Sequence, residues 1–169
     1  MAHGPTPSPL LYTAEQRVRR DASRWTLVQG LLAPLQFVVF LVSLGLVVRY
    51  LVSGHSLDAA NASVVVKTLT LYTIMVTGCL WEKDVYGVYL FAPAFYWEDV
   101  FSMLVLALHT AYLVALATGA LGARSLMLLA LAAYATYVIN ATQFILKLRA
   151  ARLDMSRRTA MANSGGVAA

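Results

Sequence analysis

From Trp25 to Val52 the chain reads "WTLVQGLLAPLQFVVFLVSLGLVVRYLV", an apolar run broken by only a few polar side chains. A helix needs about 20 apolar residues to cross the hydrocarbon core of a bilayer, so this run is long enough. Gln29, Gln36 and Ser43 recur every seven residues and therefore share one helical face. That face is expected to point into a bundle, because an amide turned to lipid has no partner. Trp25 and Tyr50 fall where interfacial aromatics belong.

Three more runs follow. "SGHSLDAANAS" reads as a turn, and a second span is expected from about Ala62 to Leu80. Its pattern allows the helix to continue through "WEKDVYGVYLF" until Pro93 stops it. A third span runs from about Phe95 to Thr118 and is closed by the glycines of "GALGAR". A fourth, "LMLLALAAYATYVINATQFILKL", ends in basic residues. Ahead of all four, "TAEQRVRRDAS" has the residues of a short surface helix. Thr13 and Gln16 fit a capping box, and Glu15 precedes Arg19 by four. The predicted fold class is all-α, an integral membrane protein built as a four-helix transmembrane bundle. Residues 1–10 and 154–169 are expected to be disordered tails around a single domain spanning 11–153.

Composition and charge sharpen this picture. Hydrophobic residues make up 60% of the 169 and charged ones only 12%, about half the share of an ordinary soluble domain. The net charge of +5 would suit a nucleic-acid partner, but its placement does not. Arg17, Arg19, Arg20 and Arg24 precede the first span, and Lys147, Arg149, Arg152, Arg157 and Arg158 end or follow the last. That is a topology signal, which places both termini in the cytoplasm and excludes a nucleic-acid groove. The lone cysteine, Cys79, reads as a packing residue.

Candidate chemistry collects around the junction of the second and third spans. Glu82, Lys83, Asp84, Glu98 and Asp99 flank "VYGVYLFAPAFYW", which is too apolar and aromatic for a free loop. Ionisable groups at membrane depth cost about 2.5–3.5 kcal/mol each on insertion scales and so mark function. Glu98, Ser102, Val105 and His109 recur at helical spacing on one face, with Glu98 and His109 about 16 Å apart along the axis. Thr136, Asn140, Gln143 and Lys147 make a matching stripe on the last helix, and Thr68, Tyr72, Cys79 and Glu82 another on the second. Phosphate loops, nucleophile elbows and HExxH motifs are absent from the sequence.

Three stretches carry a resemblance to a known family. They are "LYTAEQRVRRDASRWTLVQGLLAPLQFVVFLVSLGLVVRYL", "ASVVVKTLTLYTIMVTGCLWEKDVYGVYLFAPAFYWEDVFSMLVLALHTAYL" and "LALAAYATYVINATQFILKLRAARL". Over about Leu11 to Leu153 the chain closely resembles the vinyl bacteriochlorophyllide hydratases of bacteriochlorophyll biosynthesis. The resemblance implies a hydro-lyase that adds water to the C3-vinyl group of a chlorophyllide to give a 1-hydroxyethyl group. It implies no redox cofactor, since magnesium arrives inside the pigment substrate. It also implies the inner membrane of a photosynthetic bacterium, a tetrapyrrole and lipid as partners, and no nucleic acid. A homo-oligomer or contact with other pigment-biosynthesis enzymes stays open.

Residue roles are read from this chain's own chemistry. Glu98 is the candidate general acid, Glu82 its rival as acid or base, and Asp99 orients, positions water or pairs with Lys83. Trp81, Tyr86, Tyr96 and Trp97, with Tyr89 and Phe95, are expected to line an aromatic slot for the ring. His109 is the candidate magnesium ligand, and Asn140 and Gln143 are further substrate-binding candidates. A non-catalytic pigment-binding or assembly protein would use the same aromatics without needing paired carboxylates. A proton-coupled transporter would also bury acids, but four spans leave little room for inverted repeats.

Overall fold

The computed structural model describes residues 11–165, and those residues are helices joined by short connections. In chain order the helices are α1 (Ala14–Ala22), α2 (Arg24–Ser53), α3 (Leu57–Tyr86), α4 (Tyr96–Thr118) and α5 (Ala123–Gly165). α1 begins with the expected capping box: Thr13 accepts from the Gln16 N–H, and Gln16 accepts in return from the Thr13 N–H. Glu15 and Arg19 form the expected ion pair on its exposed side.

Among the described residues four helices are long and apolar enough to cross a membrane: α2, α3, α4 and α5 as far as Leu153. Their outward faces carry Leu31, Phe37, Val42, Val66, Leu69, Val76, Val114 and Ile145, all exposed. In water such a surface would be untenable, and in lipid it needs no further cover. The chain is therefore a multi-pass all-α membrane protein. α2 packs against α3 and α4 against α5 along their lengths, while α2–α5 and α3–α4 contacts are sparser.

Inside, each helix contributes one buried stripe. On α2 it is Gln36, Phe40, Ser43 and Val47, so Gln36 and Ser43 do face inward. Gln29, on the same face, donates to the Thr77 hydroxyl at 2.7 Å and the Ile74 carbonyl at 3.2 Å. α4 buries Glu98, Asp99, Ser102, Val105, His109, Tyr112 and Ala115, the spacing expected of one face. Phe40 lies edge-on to Tyr134 and tilted against Tyr137, which joins α2 to α5 at the centre.

Three boundaries differ from expectation. α3 starts at Leu57, so the expected turn shrinks to Gly54–Ser56. Asp58 favours an N-terminus there, and Ala59, Ala60 and Ala62 are good helix formers. α3 also stops at Tyr86 and does not continue to Pro93. Gly87 takes a left-handed conformation at φ 82° and caps the helix by donating to the Lys83 carbonyl. Lastly, α5 stays helical through Gly165, past Leu153 where a tail was expected. The expected tails at 1–10 and 166–169 lie outside the described residues.

Candidate active site

The end of α3, the start of α4 and the connection between them, residues 87–95, form one structure. Glu82 sits a turn before the end of α3, and Glu98 and Asp99 fall in the first turn of α4. An acidic residue is favoured in a first turn because unpaired backbone N–H groups point there. All three carboxylates are buried. That is unusual for acidic groups and demands partners.

Those partners are specific. Asp99 accepts the Phe91 N–H at 2.8 Å, and Glu82 accepts the Ala92 N–H at 3.2 Å. Two helices thus grip adjacent amides of one loop. The Glu82 and Asp99 carboxyl groups also come within hydrogen-bonding reach of each other. Phe91 adopts a left-handed conformation at φ 60°, which costs a non-glycine residue about 1–2 kcal/mol. The two carboxylates supply the hydrogen bonds that hold it there.

Glu98 points elsewhere. Its carboxylate meets the Lys147 ammonium of α5 at 2.6 Å, and Lys147 also lies over the Phe95 ring. One turn further in, Asn140 donates to the Ser102 hydroxyl at 2.8 Å. The two polar stripes seen in the sequence do therefore meet across the α4–α5 interface. The expected pairing of Asp99 with Lys83 is not made. Lys83 donates to the Gly87 carbonyl and lies over the Tyr89 ring.

The aromatic residues divide into two groups, not one slot. Trp81, Tyr86, Phe95 and Phe144 pack on one another with ring centres 5.7–5.9 Å apart. Trp81 donates to Thr26 on α2, and Tyr86 donates to the Leu11 carbonyl. Tyr12 stacks on Tyr86, which joins the segment before α1 to the site. Burial pushes the Tyr12 hydroxyl above its ordinary pKa, with Arg20 opposing. The second group, Tyr89, Phe91, Tyr96 and Trp97, is exposed on the outer side of the same connection. Phe91 meets Tyr96, and Tyr96 meets Trp97.

His109 lies deeper, in the centre of the bundle. Its Nδ1 is 2.8 Å from the Val105 carbonyl, and its ring packs on Tyr134. Gln143 is half-buried on α5 between Asn140 and Lys147. Tyr12, Thr26, Phe91 and the role of Lys147 were not anticipated. Only Lys147 had a sequence signal, its place on the α5 stripe.

Comparison with known proteins agrees with the stretches singled out in the sequence. A family model described as 2-vinyl bacteriochlorophyllide hydratase matches residues 12–150. A 2-vinyl bacteriochlorophyllide hydratase of Cereibacter sphaeroides is 68% identical over 149 residues, 88% of this chain and 92% of the relative. One from Rhodobacter capsulatus is 64% identical over 150 residues, 89% of this chain and 87% of the relative. No solved structure matches the chain. By the extent of the family match and by both identities, the chain belongs to the 2-vinyl bacteriochlorophyllide hydratase family.

Proposed function

We propose that this protein hydrates the vinyl group of a bacteriochlorophyllide in bacteriochlorophyll biosynthesis, with Glu82 and Asp99 as its acid–base pair. Family membership supports the reaction. The observation that supports the residues is the contact between two buried carboxyl groups delivered by facing helices.

Hydration needs a proton on the terminal vinyl carbon and a water oxygen on the inner one. The terminal CH2 becomes CH3, and positive charge develops on the inner carbon, where the conjugated macrocycle spreads it. Water then attacks that carbon and loses a proton to a base, so one water is consumed and the proton is returned. Two carboxyl groups in contact make a natural store for one proton, since two charges side by side are costly. One member gives the proton, and the carboxylate left behind takes one from water. Acid–base help of this kind is typically worth about 10²–10⁴ in rate.

Glu98 is the weaker candidate for the acid. Its carboxyl group is already engaged by the Lys147 ammonium at 2.6 Å, in a closed pair whose use is to fix the first turn of α4 against α5. The exposed rings of Tyr89, Phe91, Tyr96 and Trp97 offer the flat macrocycle a surface on the lipid side of the loop gripped by the acid pair. Trp81, Tyr86 and Phe95 back the loop from within. The magnesium of the pigment is part of the substrate. His109 stands about 16 Å along α4 from Glu98 and is fully buried, so magnesium could reach it only if the helices parted. The basic ends support a cytoplasmic location for both termini, and hence for this site.

The test is turnover by the purified protein in lipid nanodiscs. With the magnesium vinyl pigment, the product should be heavier by one water. In H2¹⁸O it should carry one ¹⁸O, and in D2O one deuterium in the new methyl group. Pigment that binds but emerges unchanged would overturn the reading in favour of a pigment carrier.

A further inference from the structure

Lys67 is fully buried halfway along α3, yet its Nζ makes no hydrogen bond among the described residues. It lies 3.9 Å from the centre of the Tyr137 ring of α5. A cation held against a ring face gains less than taking an ammonium out of water costs. Lys67 is also close enough to His109 of α4 for its charge to act on that ring.

His109 has the complementary need. Nδ1 is engaged with the Val105 carbonyl, which can only accept, so Nδ1 carries the proton. Nε2 is then left with a lone pair, fully buried and without a partner among the described residues. A third such atom comes from α2. Gln36 Oε1 is buried and without a partner among the described residues, one turn from Phe40, whose ring packs on Tyr137. One donor and one acceptor, from α3 and α4, thus face neighbouring tyrosines of α5, and a second acceptor, from α2, lies one turn from a ring packed on them.

An anion would suit Lys67 and be repelled by the lone pairs of the other two. A metal ion would suit His109 and be repelled by the ammonium. Water both accepts and donates, and buried waters typically make about three hydrogen bonds. We propose that Lys67, His109 and Gln36 bind a water molecule at the centre of the bundle. It accepts from Lys67 Nζ and donates to His109 Nε2 and Gln36 Oε1. The site is separate from the acid pair, and its existence does not depend on the reaction proposed above.

Water-edited solid-state NMR of the ¹⁵N- and ¹³C-labelled full chain in bilayers tests this. The His109 ring and the Lys67 ammonium should receive water magnetisation about as fast as exposed Arg49. Transfer no faster than that to buried Val47 and Val64 would overturn the proposal. Lys67→Met should reduce transfer to the His109 ring several-fold, and unchanged transfer would equally overturn it. With the magnesium pigment bound, the Nε2 resonance should stay where it was. A shift to a metal-coordinated position would assign that atom to magnesium and sink the water site. The wild-type measurements decide the question even where the variant fails to fold.

Discussion

Glu82 and Asp99 come from opposite sides of one connection and hold adjacent amides of it, Ala92 and Phe91, while their own carboxyl groups meet. The same two groups that would move the proton thus also set the shape of the loop between them.

Substituting either acid should separate chemistry from folding. Glu82→Gln and Asp99→Asn keep a hydrogen-bond acceptor for the loop amide and remove the titratable group. Both are expected to bind pigment and to slow hydration by about 10²-fold or more. Glu98→Gln should slow it far less. Single-turnover assays in nanodiscs measure this, and the reverse order would return the acid role to Glu98.

The Glu98–Lys147 pair should matter chiefly for stability. Glu98 is buried and Lys147 is partly exposed, so the pair lies between the surface and buried limits. Lys147→Met alone is expected to cost about 1–3 kcal/mol by leaving the carboxylate unpaired. The double variant Glu98→Gln/Lys147→Met should recover much of that. Reversible unfolding in mixed micelles gives both numbers, and a double variant as unstable as the single one would contradict the argument.

The exposed rings should affect substrate affinity and not the chemical step. Trp97→Ala or Tyr96→Ala removes a stacking face worth about 0.5–1.5 kcal/mol. KM should therefore rise by about 2–10-fold with kcat nearly constant. Phe91→Asn makes a sharper test, because asparagine tolerates the left-handed backbone while losing the ring. A fall in kcat with KM unchanged would count against a lipid-side pigment surface.

Topology is testable by labelling. In a background where Cys79 is replaced by alanine, a cysteine at His55 should react only with reagent added outside the cytoplasm. One at Ser156 should react only from the cytoplasmic side. The opposite pattern would invert the orientation argued from the basic ends.

Most of the architecture was legible because lipid imposes few solutions. Four long apolar runs specify four helices, and the seven-residue recurrence of Gln36 and Ser43 marks their inward face. The α4 and α5 stripes marked the two faces on which Asn140 meets Ser102 and Lys147 meets Glu98, since helical spacing fixes which side chains share a face. What escaped was set by turns and by choice of partner. A single glycine at 87 stops α3 before the proline does, and periodicity does not register it. That early stop turns Tyr89 and Phe91 outward and splits the expected slot. Which carboxylate Lys147 would choose depended on the register between α4 and α5, which spacing along one helix does not contain.

The two tightly packed helix pairs, α2 with α3 and α4 with α5, touch each other sparsely and are joined in sequence through residues 87–95. This divides the bundle into two leaves, and Glu82 and Asp99 belong to different leaves. Rotating one leaf against the other changes the distance between the two carboxyl groups before it disturbs packing within either pair. A flat guest that wedged the leaves apart would act directly on the acid pair, so the reaction proposed above would couple entry of the pigment to readiness for proton transfer.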